Sequence, residues 1–198
     1  MGLNRGKKFR EKNRFFIAPF IVFLITLIII TAALSSSDYS WASWKPASCM
    51  PVHCFCEAIR SGVIAQPANT WSSFGFVLVG LLVIGQSGED VRQRRSNLMT
   101  SQRAYPLLFG MTLIVIGLGS AFYHASLTFA GQFFDVMGMY LVAVFILLYN
   151  FSRVSALSAR RFVLLYLFIN LILAFILLEW PALLSLGANP FQVTIPSV

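Results

Sequence analysis

Five apolar stretches, at about residues 15–34, 71–84, 105–126, 132–149 and 162–178, take up most of this 198-residue chain. Most of them approach the roughly 20 residues that carry an α-helix across a bilayer. Hydrophobic residues make up 58% of the sequence and charged ones only 11%, a balance outside the usual range of soluble globular domains. The reading is an all-α, polytopic membrane bundle of about five transmembrane helices, with no separate soluble domain.

The charges set the expected topology. The net charge of +8 is divided among short clusters beside the apolar runs, which is a topology signal, and no nucleic-acid partner is expected. Residues 1–14 form a basic tail with Arg5, Lys7, Lys8, Arg10, Lys12 and Arg14 against Glu11. The apolar run at 15–34 exceeds that of a cleaved signal peptide and reads as a signal-anchor helix. Residues 35–66 form a polar loop holding Asp38, Trp41, Trp44 and all three cysteines, and 67–198 form the membrane domain. Placing the tail, the Arg92 loop and the Arg153 loop in the cytoplasm satisfies the positive-inside rule. The N-terminus is then cytoplasmic and the 35–66 loop extracytoplasmic. The third span travels outward, so the loop, His124 and Asp135 are expected on one side. The break between the third and fourth spans is expected near Gly131.

Ser120 and His124 are spaced i, i+4 and share one helix face, and Asp135 follows the reversal at nearly the same depth. Ionisable groups in such positions are costly and usually face the bundle interior or water. Neutral imidazole is a common zinc ligand, and zinc makes hydroxide available near neutral pH. Asp135 is suited to orient or deprotonate a water, and Ser120 to donate to an oxyanion. Metal-assisted hydrolysis of an amide or ester follows. A serine nucleophile is less attractive, since no Gly-x-Ser-x-Gly elbow is present. The plainer alternatives are that Ser120 belongs to a packing patch with Gly117, Gly119 and Ala121, that His124 is a structural hydrogen-bonding group, and that Asp135 caps the fourth helix.

Cys49, Cys54 and Cys56 lie in the polar loop near His53. A disulfide from Cys49 to Cys54 or Cys56 is expected of an extracytoplasmic loop. A thiolate and histidine metal site there would be strained by the short spacing.

The string from Gly119 to Asp135, with its Ser-x3-His-x10-Asp spacing, resembles the alkaline ceramidase family, part of a wider group of seven-helix membrane hydrolases that includes the adiponectin and progestin receptor relatives. Cys54-Phe-Cys-Glu57 followed by Asn69-Thr-Trp-Ser-Ser73 resembles a second pair of that family's motifs. The resemblance covers about residues 53–180, with the signal anchor as an addition before the first four family helices. It implies an intramembrane zinc site with His124 as a ligand, Asp135 assisting the water and Ser120 stabilising the oxyanion. Ceramide-like membrane lipids are the implied substrates. It also implies a calcium site with Glu57 as an acidic ligand. Two departures stand out: Cys54 and Gln66 fall where acids are expected, and no histidine follows His124 to form the family's last-helix His-x3-His pair. An incomplete chain is therefore one expectation. The alternative to a hydrolase is an inactive membrane binding or assembly protein that keeps the fold.

Overall fold

The computed structural model describes residues 3–35, 37, 39–50, 57–92, 98–155 and 157–180. Five helices carry the architecture: α1 (Leu3–Ser35), α2 (Pro67–Arg92), α3 (Ala104–Ser126), α4 (Phe129–Ser155) and α5 (Ala159–Glu179). A 3-10 turn at Trp41–Ser43 lies in the first loop, and a single helical turn at Leu98–Ser101 follows α2. Among the described residues there is no strand, only an isolated bridge between Pro46 and Thr128. All five helices contain a segment long and apolar enough to cross a membrane. The protein is an all-α integral membrane bundle, as the hydropathy pattern implies.

The helices outrun the apolar cores that announce them. Charged and polar residues at the ends, such as Glu89 and Asp90 of α2, remain helical, because backbone hydrogen bonding does not stop where hydropathy falls. Pro67 opens α2 at the first helical position, where a missing N–H costs nothing. Ser158 caps α5, accepting a hydrogen bond from the Arg161 amide.

The break between α3 and α4 falls at Leu127 and Thr128, earlier than Gly131. Leu127 takes the left-handed conformation at φ 47°, and its N–H donates to Tyr123 O at 2.7 Å. A non-glycine residue is disfavoured there, and two supports hold it. Leu127 is buried, and its carbonyl accepts from the Ala47 amide at 2.9 Å. Gly131 instead lies inside α4 as a contact point, where an added Cβ would stand 2.8 Å from Tyr123 Cα.

The first loop folds back over the ends of the neighbouring helices. Phe129 N donates to Lys45 O at 2.8 Å, Ala65 N to Ala125 O at 2.9 Å and Gln66 N to His124 O at 3.0 Å. These bonds gather residues 39–50 and 57–66, the end of α3 and the start of α4. The convergence expected from topology is therefore present: loop, His124 and Asp135 share one end of the bundle.

Candidate functional site

Small residues on α3 let both neighbouring helices come close. An added Cβ at Gly117 would lie 2.9 Å from Ser73 O on α2, and one at Gly119 would lie 2.8 Å from Phe134 O on α4. The residues beside those contacts are the polar ones. Ser73 Oγ stands 3.1 Å from Ser120 Oγ as a donor and 2.7 Å from Asn69 O. Ser120 in turn lies beside the Asp135 carboxylate. The same close packing that makes Ser120 part of a small-residue patch brings its hydroxyl beside the acid. Asp135 lies inside α4, well past its first turn, so its carboxylate does not serve as the helix cap.

His124 sits one turn further along α3 and is 8% exposed. Its Nδ1 lies 2.8 Å from Gln66 Oε1. Gln66 is fully buried, and its Nε2 donates to the Glu57 carbonyl at 3.1 Å. That second bond orients the amide: its NH2 must face the carbonyl, so its oxygen faces the imidazole. Nδ1 is then the proton-bearing nitrogen and Nε2 the lone-pair atom of a neutral ring. An imidazole held through one nitrogen in this way is the usual arrangement behind a metal ligand or proton acceptor.

Glu57 completes the chain of contacts as a cap. Its Oε1 accepts from Ala68 N and its Oε2 from Asn69 N, both at 2.8 Å, and these are among the amides that the first turn of α2 leaves without helical partners. Desolvation works to raise the Glu57 pKa, but the amides of Asn69 and Ala68, with Arg60 and His124 nearby, hold it below the usual glutamate value. The helix N-terminus favours the same anionic form.

Other buried polar residues fasten the loop. Gln132 accepts from Ser48 N at 2.8 Å and donates to Ser48 Oγ at 2.6 Å. Cys49 is disulfide-bonded, and its Sγ lies 3.1 Å from the Tyr123 hydroxyl. The expected partners Cys54 and Cys56, and His53 with them, lie outside the described residues.

The four residues singled out from sequence therefore fall into two adjoining groups along α3. Ser120 and Asp135 form one with Ser73, and His124 and Glu57 form the other through Gln66. Ser73 and Gln66 gained no role from sequence reading. Ser73 stood inside the quoted Asn69–Ser73 motif, but Gln66 meets His124 across 58 positions, a pairing no local pattern reveals.

Among the described residues, no group of three or more His, Cys, Asp or Glu side chains could hold a metal ion. The described donor set does not by itself fit a zinc site. Nor does it fit calcium, which asks for about six to eight oxygen ligands, while both Glu57 oxygens already serve α2.

The family model described as Ceramidase matches residues 52–190, well over half of the chain. A candidate alkaline ceramidase of Dictyostelium discoideum is 33% identical over 93 residues, which are 44% of this chain and 32% of that protein. The match thus spans about a third of the relative's length. No solved structure matches.

Proposed function

Because the chain belongs to the ceramidase family, we propose that it is an intramembrane hydrolase that cleaves the amide bond of ceramide-type lipids with an attacking water. The observation that carries this reading is Ser120, hydrogen-bonded to Ser73 and set beside Asp135, one helical turn from an oriented His124.

Asp135 takes a proton from water as the water oxygen bonds to the amide carbon. Once protonated, it no longer holds Ser120 by a charge-assisted hydrogen bond. The Ser120 hydroxyl then turns to the developing oxyanion, while Ser73 continues to steady its oxygen. As the C–N bond breaks, the proton on Asp135 passes to the leaving nitrogen, giving a fatty acid and an amino alcohol. His124, with Nδ1 held by Gln66, would use Nε2 as its ligating or proton-accepting atom. Family resemblance makes zinc its proposed partner; calcium at Glu57 forms no part of the proposal, because both carboxylate oxygens cap α2. Zinc would supply Lewis acidity, and its remaining ligands are not among the described residues. The positive-inside pattern supports an extracytoplasmic position for the site, with the N-terminus cytoplasmic.

The test is turnover of a ceramide by the purified chain in lipid nanodiscs, alongside its zinc content. Hydrolysis that disappears in Asp135→Asn supports the reading. Equal turnover by the variant overturns it. The lack of a three-ligand group among the described residues favours the second reading, a non-catalytic membrane module. Stoichiometric zinc together with Asp135-dependent hydrolysis would eliminate that reading.

A further inference from the structure

The family resemblance implies calcium beside Glu57, and the described residues there are arranged for a different purpose. Both Glu57 carboxylate oxygens accept from the first turn of α2, at 2.8 Å from Ala68 N and from Asn69 N. The positive end of that helix and the nearby Arg60 charge already balance the carboxylate. Calcium would have to displace those amides and settle against the Arg60 charge to gather the roughly six to eight oxygens it takes.

Gln66 stands where the resemblance expects an acid, and its amide does what an acid cannot. Nε2 donates to the Glu57 carbonyl at 3.1 Å while Oε1 faces His124 Nδ1 at 2.8 Å. A carboxylate has no N–H to give that carbonyl. Placed there, it would set a negative charge against the Glu57 backbone oxygen, an arrangement that a cation satisfies and a bare site does not.

The surrounding backbone is closed in the same way. Gly62, at φ 135°, supplies the reversal that lets Arg60 N donate to Ala65 O at 2.8 Å. Ala65 N and Gln66 N bond to Ala125 O and His124 O, and Thr70 donates to Gln66 O from both its amide and its hydroxyl. The loop, α2 and α3 thus meet through direct hydrogen bonds between Glu57 and His124.

We propose that this chain fixes the junction by a metal-free clasp, in which Gln66 and the Glu57 cap stand in place of the calcium site, so that neither its stability nor the placement of His124 responds to calcium. The clasp is read out by melting and ion uptake, whether or not the chain turns over a lipid.

The experiment uses the full chain in nanodiscs of zwitterionic lipid, freed of calcium and with its zinc content held fixed. It is melted with and without calcium at up to about 5 mM, past the weakest range of dedicated protein sites, and calcium uptake is measured by equilibrium dialysis. The melting temperature should shift by less than about 1 °C, against the roughly 2–8 °C that each kcal/mol of ligand stabilisation brings. Uptake should stay far below one ion per chain. Gln66→Met, which removes both bonds and adds no charge, should lower the melting temperature by several degrees, and calcium should not restore it. Gln66→Glu supplies the acid that the amide replaces, so it should melt lower in chelator and recover with calcium but not with magnesium. Stoichiometric uptake or calcium-raised melting in the unsubstituted chain overturns the proposal. So does a Gln66→Met melt equal to that of the unsubstituted chain, or a Gln66→Glu deficit that calcium leaves unchanged. If Gln66→Glu yields no folded protein, the other two samples decide. Calcium-indifferent melting with no ceramide hydrolysis by the unsubstituted chain sinks the hydrolase reading alone. Asp135-dependent hydrolysis with calcium-raised melting sinks the clasp alone.

Discussion

The two ends of the bundle are held together by different physics. At the loop end, Gln66, Gln132 and His124 are buried polar groups tied by hydrogen bonds that join distant parts of the chain. At the other end, Tyr105, Phe145, Phe162 and Tyr166 bury an aromatic cluster, with Tyr105 and Phe162 rings 4.8 Å apart and Phe145 and Phe162 5.5 Å apart. Aromatic packing tolerates small shifts in angle. Buried hydrogen bonds do not, because a donor or acceptor left alone costs about 1–3 kcal/mol. The difference teaches where geometry is held tightly enough for chemistry, and it makes separable demands on variants at each end.

The largest expected effect is at the loop end. Asp135→Asn should lower lipid-amide turnover by about a hundredfold to ten thousandfold, the range for loss of a general base or acid, with thermal stability little changed. Turnover in nanodiscs and melting of the same sample check both halves. Phe162→Ala at the aromatic end should do the reverse, costing about 3 kcal/mol of stability while the folded fraction keeps its turnover number. If that variant loses activity in proportion to nothing but its chemistry, the division between the ends fails.

A third variant sharpens the contrast within the loop end. Gln66→Ala removes the acceptor from His124 and should reduce turnover by about tenfold to a hundredfold, as loss of a group orienting a functional histidine typically does. Gln66→Glu, which keeps an acceptor, should restore part of it. Equal turnover in Gln66→Ala would show that imidazole orientation is set elsewhere.

The smallest effect concerns Glu57 and acid. Its folded pKa lies below the reference value of 4.5, so the stability it adds is fully present above about pH 4.5 and is lost as pH falls through the depressed folded value. Glu57→Gln should lower the melting temperature slightly at neutral pH and flatten its decline in acid. A melting curve that keeps the full acid decline would assign that decline to other groups.

Much of the fold was legible because hydropathy and helix length act locally. The five spans, the grouping of loop, His124 and Asp135 at one end, and the i, i+4 face of Ser120 and His124 all follow from order along the chain. The disulfide at Cys49 agrees with the cysteine spacing, although its possible partners lie outside the described residues. The end of α3 near Ser126 was legible, but the start of α4 was read about three residues late, because Gly131 looks like a breaker when its close approach to Tyr123 is invisible.

Sequence by itself determined that this chain is a helical membrane protein of the ceramidase family and which polar residues share a helix face, since periodicity and motif spacing are properties of neighbours. Only the tertiary structure decided that Ser73 steadies Ser120, that Gln66 orients His124, that Glu57 caps α2, and that Lys45 and Ala47 bond to the turn between α3 and α4. Each of those depends on contacts between segments separated in sequence, where the angle and depth of helix packing, and not local preference, determine which groups meet.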